Sequence, residues 1–166
     1  MKAVSMKKTL LTIAALILII ASLAGCDAIK GLIPGGKASL GEKVEGSTTT
    51  LDGAIMKYVS NTNDSLTVTV ENGTDSTWQS ANMRDYRLEA EVDGEWRVVE
   101  QKGEFANTME LMIFAPGETM THTFKFTDRY GKLAPGKYRV VKSYWANASA
   151  SINPHEFQLT CEFTVE

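Results

Sequence analysis

Ser65-Leu66-Thr67-Val68-Thr69-Val70-Glu71 alternates without a break, with Leu66, Val68 and Val70 on one side and hydroxyls or a carboxylate on the other. A period of two with β-branched residues on both faces is the mark of a half-buried strand. Asn72-Gly73 then ends it. Working outward, the same period returns again and again. Tyr86, Leu88, Ala90 and Val92 alternate with Arg87, Glu89 and Glu91, and Asp93-Gly94 turns the chain into Glu95–Glu100. Pro116-Gly117 precedes a strand in which Met120, His122, Phe124 and Phe126 share a face opposite Thr119, Thr121 and Thr123. Pro135-Gly136 precedes Lys137–Tyr144, and Phe157, Leu159, Cys161, Phe163 and Val165 alternate to the C-terminus. Further strands are expected over Ala54–Ser60 and, more weakly, Met109–Phe114. No helical period competes after residue 52. Seven or eight short antiparallel strands predict an all-β fold, a sandwich rather than a closed barrel.

One turn allows two readings. A three-residue loop at Val92-Asp93-Gly94 makes a bulged hairpin and puts Trp96 and Val98 on the face of Leu88 and Ala90. A two-residue loop turns Trp96 outward beside Glu91. Indole burial is worth a few kcal/mol by area, so the bulge is expected. Leu133-Ala134-Pro135-Gly136-Lys137-Tyr138 suggests a tyrosine corner, with the Tyr138 hydroxyl bonded to backbone a few residues upstream.

The N-terminal end reads differently. Lys2, Lys7 and Lys8 precede an apolar run from Leu10 to Leu23 that closes on Leu23-Ala24-Gly25-Cys26. A basic start, an apolar segment and small residues before a cysteine make a lipoprotein signal peptide, cleaved before Cys26. A membrane-spanning helix needs about 20 apolar residues, and this run is shorter. Residues 1–25 are therefore expected as signal peptide, with a helix of their own, and Cys26 as the lipidation site, carrying a diacylglyceryl group. Residues 26–52, with Pro34-Gly35-Gly36 and Ser47-Thr48-Thr49-Thr50, read as a flexible lipid-anchored tether. Its root-mean-square reach is roughly 25–30 Å. The folded domain is expected over residues 53–166. The address that follows is the extracytoplasmic face of the cell membrane.

Charge and composition exclude several classes. The three lysines lost with residues 1–25 take the net charge from −3 to −6. A net acidic chain with scattered cations is a poor nucleic-acid binder, because phosphate neutralisation needs clustered Lys and Arg. With Cys26 acylated, Cys161 has no disulfide partner. Cys161 is in phase with Leu159 and Phe163 and reads as a core residue. His122 and His155 are the two histidines, and no pairing with cysteine has zinc-site spacing. Asn61–Asp64 and Asn72–Asp75 are oxygen-rich but lack the ligand density of a calcium loop, and turn chemistry accounts for them better. No catalytic residues, metal or cofactor are expected.

Leu66–Asn72, Tyr86-Arg87-Leu88-Glu89 with Asp93-Gly94-Glu95-Trp96, Pro116-Gly117-Glu118, and Tyr130-Gly131-Lys132-Leu133 through Lys142 occur in an order that resembles a family of bacterial immunoglobulin-like domains of surface lipoproteins. The resemblance implies an immunoglobulin-like sandwich with no catalytic residues to carry over. A looser similarity, through the Leu-x-Pro-Gly-x-Tyr piece, is to proteinase-inhibitor domains of related form. In such a sandwich the loops after the second and penultimate strands share one end. Trp78, Tyr144 and Trp145 would then either form an exposed aromatic cluster that binds a protein or cell-envelope ligand, or plug the open end of the core. The expected function is a membrane-anchored, non-catalytic binding module, with a surface proteinase inhibitor as the alternative.

Overall fold

The computed structural model describes residues 39–103, 110–146 and 155–166. The expected signal peptide, Cys26 and the first half of the expected tether lie outside the described residues. Ten strands follow one another: β1 (Leu40–Lys43), β2 (Ala54–Asn61), β3 (Ser65–Asn72), β4 (Trp78–Ala81), β5 (Arg87–Val92), β6 (Glu95–Val99), β7 (Leu111–Phe114), β8 (Thr119–Lys125), β9 (Gly136–Ala146) and β10 (His155–Val165). No helix occurs among the described residues. The strands form two antiparallel sheets, one in the order β1-β6-β5-β9-β4-β7 with β10 on the other side of β9, the second β2-β3-β8. The all-β sandwich expected from the alternation is what the chain builds.

Eight strands match the expected segments, and two were not foreseen. β1 lies inside the stretch read as tether. It pairs Leu40 with Val99 and Lys43 with Arg97, and farther along, the Gln158 amide donates to the Thr49 carbonyl at 2.6 Å. A strand that adds to a sheet edge through its backbone needs no apolar alternation, which is why composition hid it. β4 carries Trp78 and Ser80 inward, both fully buried, and a buried serine breaks the apolar period that would have announced it.

The core lies between the sheets. Leu66, Val68 and Val70 of β3 face Leu88 of β5, Tyr138 and Val140 of β9, and Phe163 of β10, all but Phe163 with no exposed surface. Phe163 stacks on Phe126 and Tyr138, with ring centroids at 5.5 and 5.7 Å. The Tyr138 hydroxyl donates to the Ala134 carbonyl at 2.9 Å, the bond a tyrosine corner requires.

Two close fits tie the ends of strands together. Asn72 is fully buried; its side-chain amide donates to the carbonyls of Ser76 and Phe114 at 2.9 and 3.0 Å, and its Oδ1 accepts from Thr74. The Gly73 amide donates to the Gly53 carbonyl at 2.8 Å, and a Cβ at Gly73 would lie 2.7 Å from that oxygen.

The β5–β6 turn departs from expectation. Val92 pairs with Glu95 and Glu91 with Trp96, while Asp93 and Gly94 both hold positive φ, 54° and 79°. That is a two-residue type I′ turn, not a bulge, and Trp96 faces outward. The indole is covered from outside the core instead. The Arg139 guanidinium carbon lies 4.3 Å from its ring centroid and the Lys137 ammonium 5.2 Å. Cation–π contact and the side-chain stems supply cover. Arg139 in turn donates to Glu89 at 2.6 Å, and Arg87 donates to the same carboxylate at 2.7 Å. Glu89, on the outer face of the sheet, is thereby buried between two guanidinium groups with no exposed surface.

Candidate binding site

Strand β9 is long enough to pair with β5 through Tyr138–Val141 and with β4 through Trp145 and Ala146. Between these ladders the chain crosses from β4 to β5 over residues 82–86, and its carbonyls have no strand beside them. Lys142, at that level of β9, fills the gap. Its ammonium donates to the carbonyls of Ala81 (3.2 Å), Asn82 (3.0 Å) and Asp85 (2.8 Å). An ammonium has three protons, and here each has an acceptor. The residue is 2% exposed, and burial pushes its pKa down to about 8, against the opposing pull of Asp85 and with the help of Arg129. The loop tightens on itself as well: Asn82 Oδ1 accepts from the Arg84 amide at 2.9 Å, and the Asp85 amide donates to the Asn82 carbonyl at 3.0 Å.

This loop forms one wall of a groove whose other wall is β8. The groove consists of two adjoining depressions, of about 280 and 440 Å³, which share Met83, Arg84 and His122. Thr123, Phe124, Lys125 and Arg129 line the first, Glu110 and Met112 the second. Met83, Met112 and Phe124 supply apolar lining, Arg84 and Lys125 stand exposed beside Asp128 and Glu110, and Arg129 is buried. His122 is half-buried with its ring 4.8 Å from that of Phe124, edge to face. Burial, aided by the charge of Lys142, holds its pKa down to about 4, so it is neutral at pH 7.

Strand β8 pairs with β3 alone among the described residues. The Asn72 amide donates to the Glu118 carbonyl and the Phe126 amide to the Asp64 carbonyl, both at 2.8 Å. Even-numbered residues of β8 therefore turn their backbone groups to β3, and odd-numbered ones turn theirs to the groove. At Lys125 the outward carbonyl accepts from the Tyr86 hydroxyl at 2.7 Å. Those of Thr121 and Thr123 face the same unpaired edge, and Thr123 lines the groove.

The residues singled out from sequence fall elsewhere. Trp78 and Tyr144 are not an exposed cluster: both are fully buried, with centroids 5.0 Å apart, Phe114 stacked on Trp78 at 4.7 Å and Phe157 on Tyr144 at 5.6 Å. They fill the end of the core, the second of the two roles expected for them. Trp78 Nε1 and the Tyr144 hydroxyl have no hydrogen-bond partner there, which costs about 1–3 kcal/mol each. Trp145 follows Tyr144 in the strand, faces the opposite side and is half-buried. Cys161 is buried and unpaired, its thiol pushed up to about 11 by burial and the adjacent Glu162. His155 is exposed. Among the described residues no group of three or more His, Cys, Asp or Glu could hold a metal. In the oxygen-rich turns, Thr62 donates to Asp64 and Thr74 to Asn72, which is turn chemistry.

The family model of the bacterial Ig-like domain matches residues 54–164. The chain belongs to that family. The match begins at the first residue of β2 and takes in the sandwich from there to the last residues of β10, including both walls of the groove. No individual curated protein matches the chain. Membership in the bacterial Ig-like family suggests a non-catalytic surface or binding module. The groove was not foreseen, since its lining comes from three separate segments. One signal was present: Lys142 stands in phase with the inward Tyr138, Val140 and Tyr144, and a lysine on an inward phase needs local acceptors.

Proposed function

We propose that the protein is a lipid-anchored extracytoplasmic binding module, in which Cys26 holds the chain to the membrane and the Ig-like domain recognises a protein or cell-envelope partner. The observation that carries this reading is the sequence Leu23-Ala24-Gly25-Cys26 ahead of an Ig-like domain at residues 54–164. Two acyl chains suffice for stable anchoring, at about 0.8 kcal/mol per buried CH₂.

A non-catalytic role fits the titratable groups. Covalent catalysis needs a nucleophile held against a base. The Cys161 thiol stays protonated in the core of β10, His122 is neutral at the groove, and the protons of Lys142 are all taken by carbonyls.

The test has two arms. Mass spectrometry of the membrane-purified protein should find an N-terminus at Cys26 carrying diacylglyceryl, and Cys26→Ser should release the protein from the membrane. Cross-linking in intact cells should then yield a discrete heavier species containing the anchored protein. An intact leader would overturn the anchoring, and a chain that stays free of any discrete cross-linked product would overturn the binding role.

A further inference from the structure

We infer that the outer face of the larger sheet rests on the bilayer at its β7 end, with Leu111 and Ile113 among the acyl chains and Trp145 at the head groups. The inference rests on the anchoring proposed above and adds a contact that the lipid on Cys26 does not itself make.

That outer face is divided in two. Toward the start of β9 it is a web of ion pairs: Glu89 holds Arg87 and Arg139, and Lys137 bridges Glu91 and Glu162. Toward the end of β9 the side chains are uncharged. Ladder partners share a face, so Ile113, Gln79 and Trp145 form one row across three strands, and Leu111 and Ala81 form the next. Leu111 and Ile113 are 67% and 58% exposed, while Met112 and Phe114 turn to the core. Ala115, Pro116 and Gly117, also exposed, carry the apolar stretch to the tip of the β7–β8 turn. Contiguous exposed aliphatic surface marks a contact with a membrane or a partner.

The attachment of the chain decides between these. Lys43 stands level with Tyr138 of β9 through Arg97 and Ala90. Leu40 pairs farther along β6, with Val99, and the Ser39 carbonyl accepts from the Glu100 amide at 2.9 Å. Followed toward its N-terminus, the backbone therefore climbs toward the Trp145 end of the sheet. At about 3.3 Å per residue that end lies only about 15 Å beyond Ser39. Ser39 stands 13 positions after Cys26, and a chain of that length spans at most about 45 Å. β1 thus shortens the leash that composition suggested and turns the uncharged end to the lipid. A surface confined this closely meets its target at high effective concentration, so a few aliphatic contacts suffice. Tryptophan concentrates at the head-group level. Exposed Glu110 and Glu156 border the patch, so burial of apolar surface, and not attraction to anionic head groups, makes the contact.

The test uses the full-length acylated protein, reconstituted through its lipid into phosphatidylcholine vesicles with and without bromine on the acyl chains. Bromine quenches an indole at contact range, so brominated vesicles should lower the tryptophan emission of the native protein. Trp145→Phe should remove most of that quenching, and Trp96→Phe, at the charged end of the same face, should leave it. Leu111→Glu combined with Ile113→Glu should cut the quenching at least fivefold. That variant should stay vesicle-bound through Cys26 and keep its melting temperature within a few degrees, since both side chains are exposed. Neither high salt nor added phosphatidylglycerol should change the quenching.

An acylated, vesicle-bound protein with equal emission in both kinds of vesicle would overturn the contact and leave the anchoring intact. That comparison needs no variant to fold. Quenching that survives the paired substitution, or that requires anionic lipid or low salt, would overturn it too. A dimer that the paired substitution dissolves would assign the patch to a second copy and overturn it. A protein purified with an intact leader would overturn the anchoring itself, and the contact would fall with it.

Discussion

At the scale of single residues, Lys142 shows how a charge becomes part of a β-sheet. It stands where β9 passes from one neighbour to the next, and its ammonium replaces the amides that a continuous strand would have offered to residues 81–85. Its folded pKa, about 8, lies below the ordinary 10.5. The unfolded chain then holds more protons between pH 8 and 10.5, so stability rises with pH across that window, and below pH 8 the burial cost is present in full. The full span is on the order of 3 kcal/mol at about 1.4 kcal/mol per unit. Denaturation midpoints for the native protein should climb from pH 8 to 9.5 more steeply than for Lys142→Met. Equal slopes would show that the ammonium is not desolvated. Sequence alone placed Lys142 in a strand but could not say what it bonds, because its acceptors lie about 60 positions away.

Among the elements, the strands that came through clearly are those whose two faces meet different surroundings. β3, β8 and β10 each set one face against the core, and their alternation was readable at once. Those that were missed answer to other forces: β1 to backbone pairing, β4 to a buried serine among four residues. The β5–β6 hairpin marks a different limit. Area burial favoured turning Trp96 inward, yet the Asp93-Gly94 turn sets the register, and Arg139 and Lys137 cover the ring from outside. The Glu89 carboxylate holds that outer layer together from beneath. Glu89→Gln keeps the shape but leaves two guanidinium groups facing a neutral amide. Removing one member of a buried ion pair costs about 3–5 kcal/mol; with Arg87 partly exposed, a loss near the low end, about 3 kcal/mol, is expected by chemical denaturation. Glu89→Ala should cost at least as much.

For the molecule as a whole, cohesion between the sheets rests on a few directed bonds set in a large apolar interface. Asn72 is the most connected of them, reaching from the end of β3 to the Phe114 carbonyl on β7 in the other sheet. Asn72→Ala would take the side-chain donor from the buried Phe114 carbonyl and the acceptor from the Thr74 amide and hydroxyl. Each such group costs about 1–3 kcal/mol, so a loss of about 2–4 kcal/mol in unfolding free energy is expected, read as a fall in melting temperature of both sheets together. A variant that melted one sheet before the other would show the pins to be local. The family and the sandwich were legible from pattern, while the groove was not, because it assembles residues 83–84, 110–112 and 122–123 through topology alone.

The thiol of Cys161 has a practical corollary. Sealed 5% accessible and firmly protonated, it is invisible to maleimides or iodoacetamide for as long as the two layers stay shut. Its rate of alkylation is then a clock for the breathing of the side chains packed around it, one that ticks only when β10 lifts away.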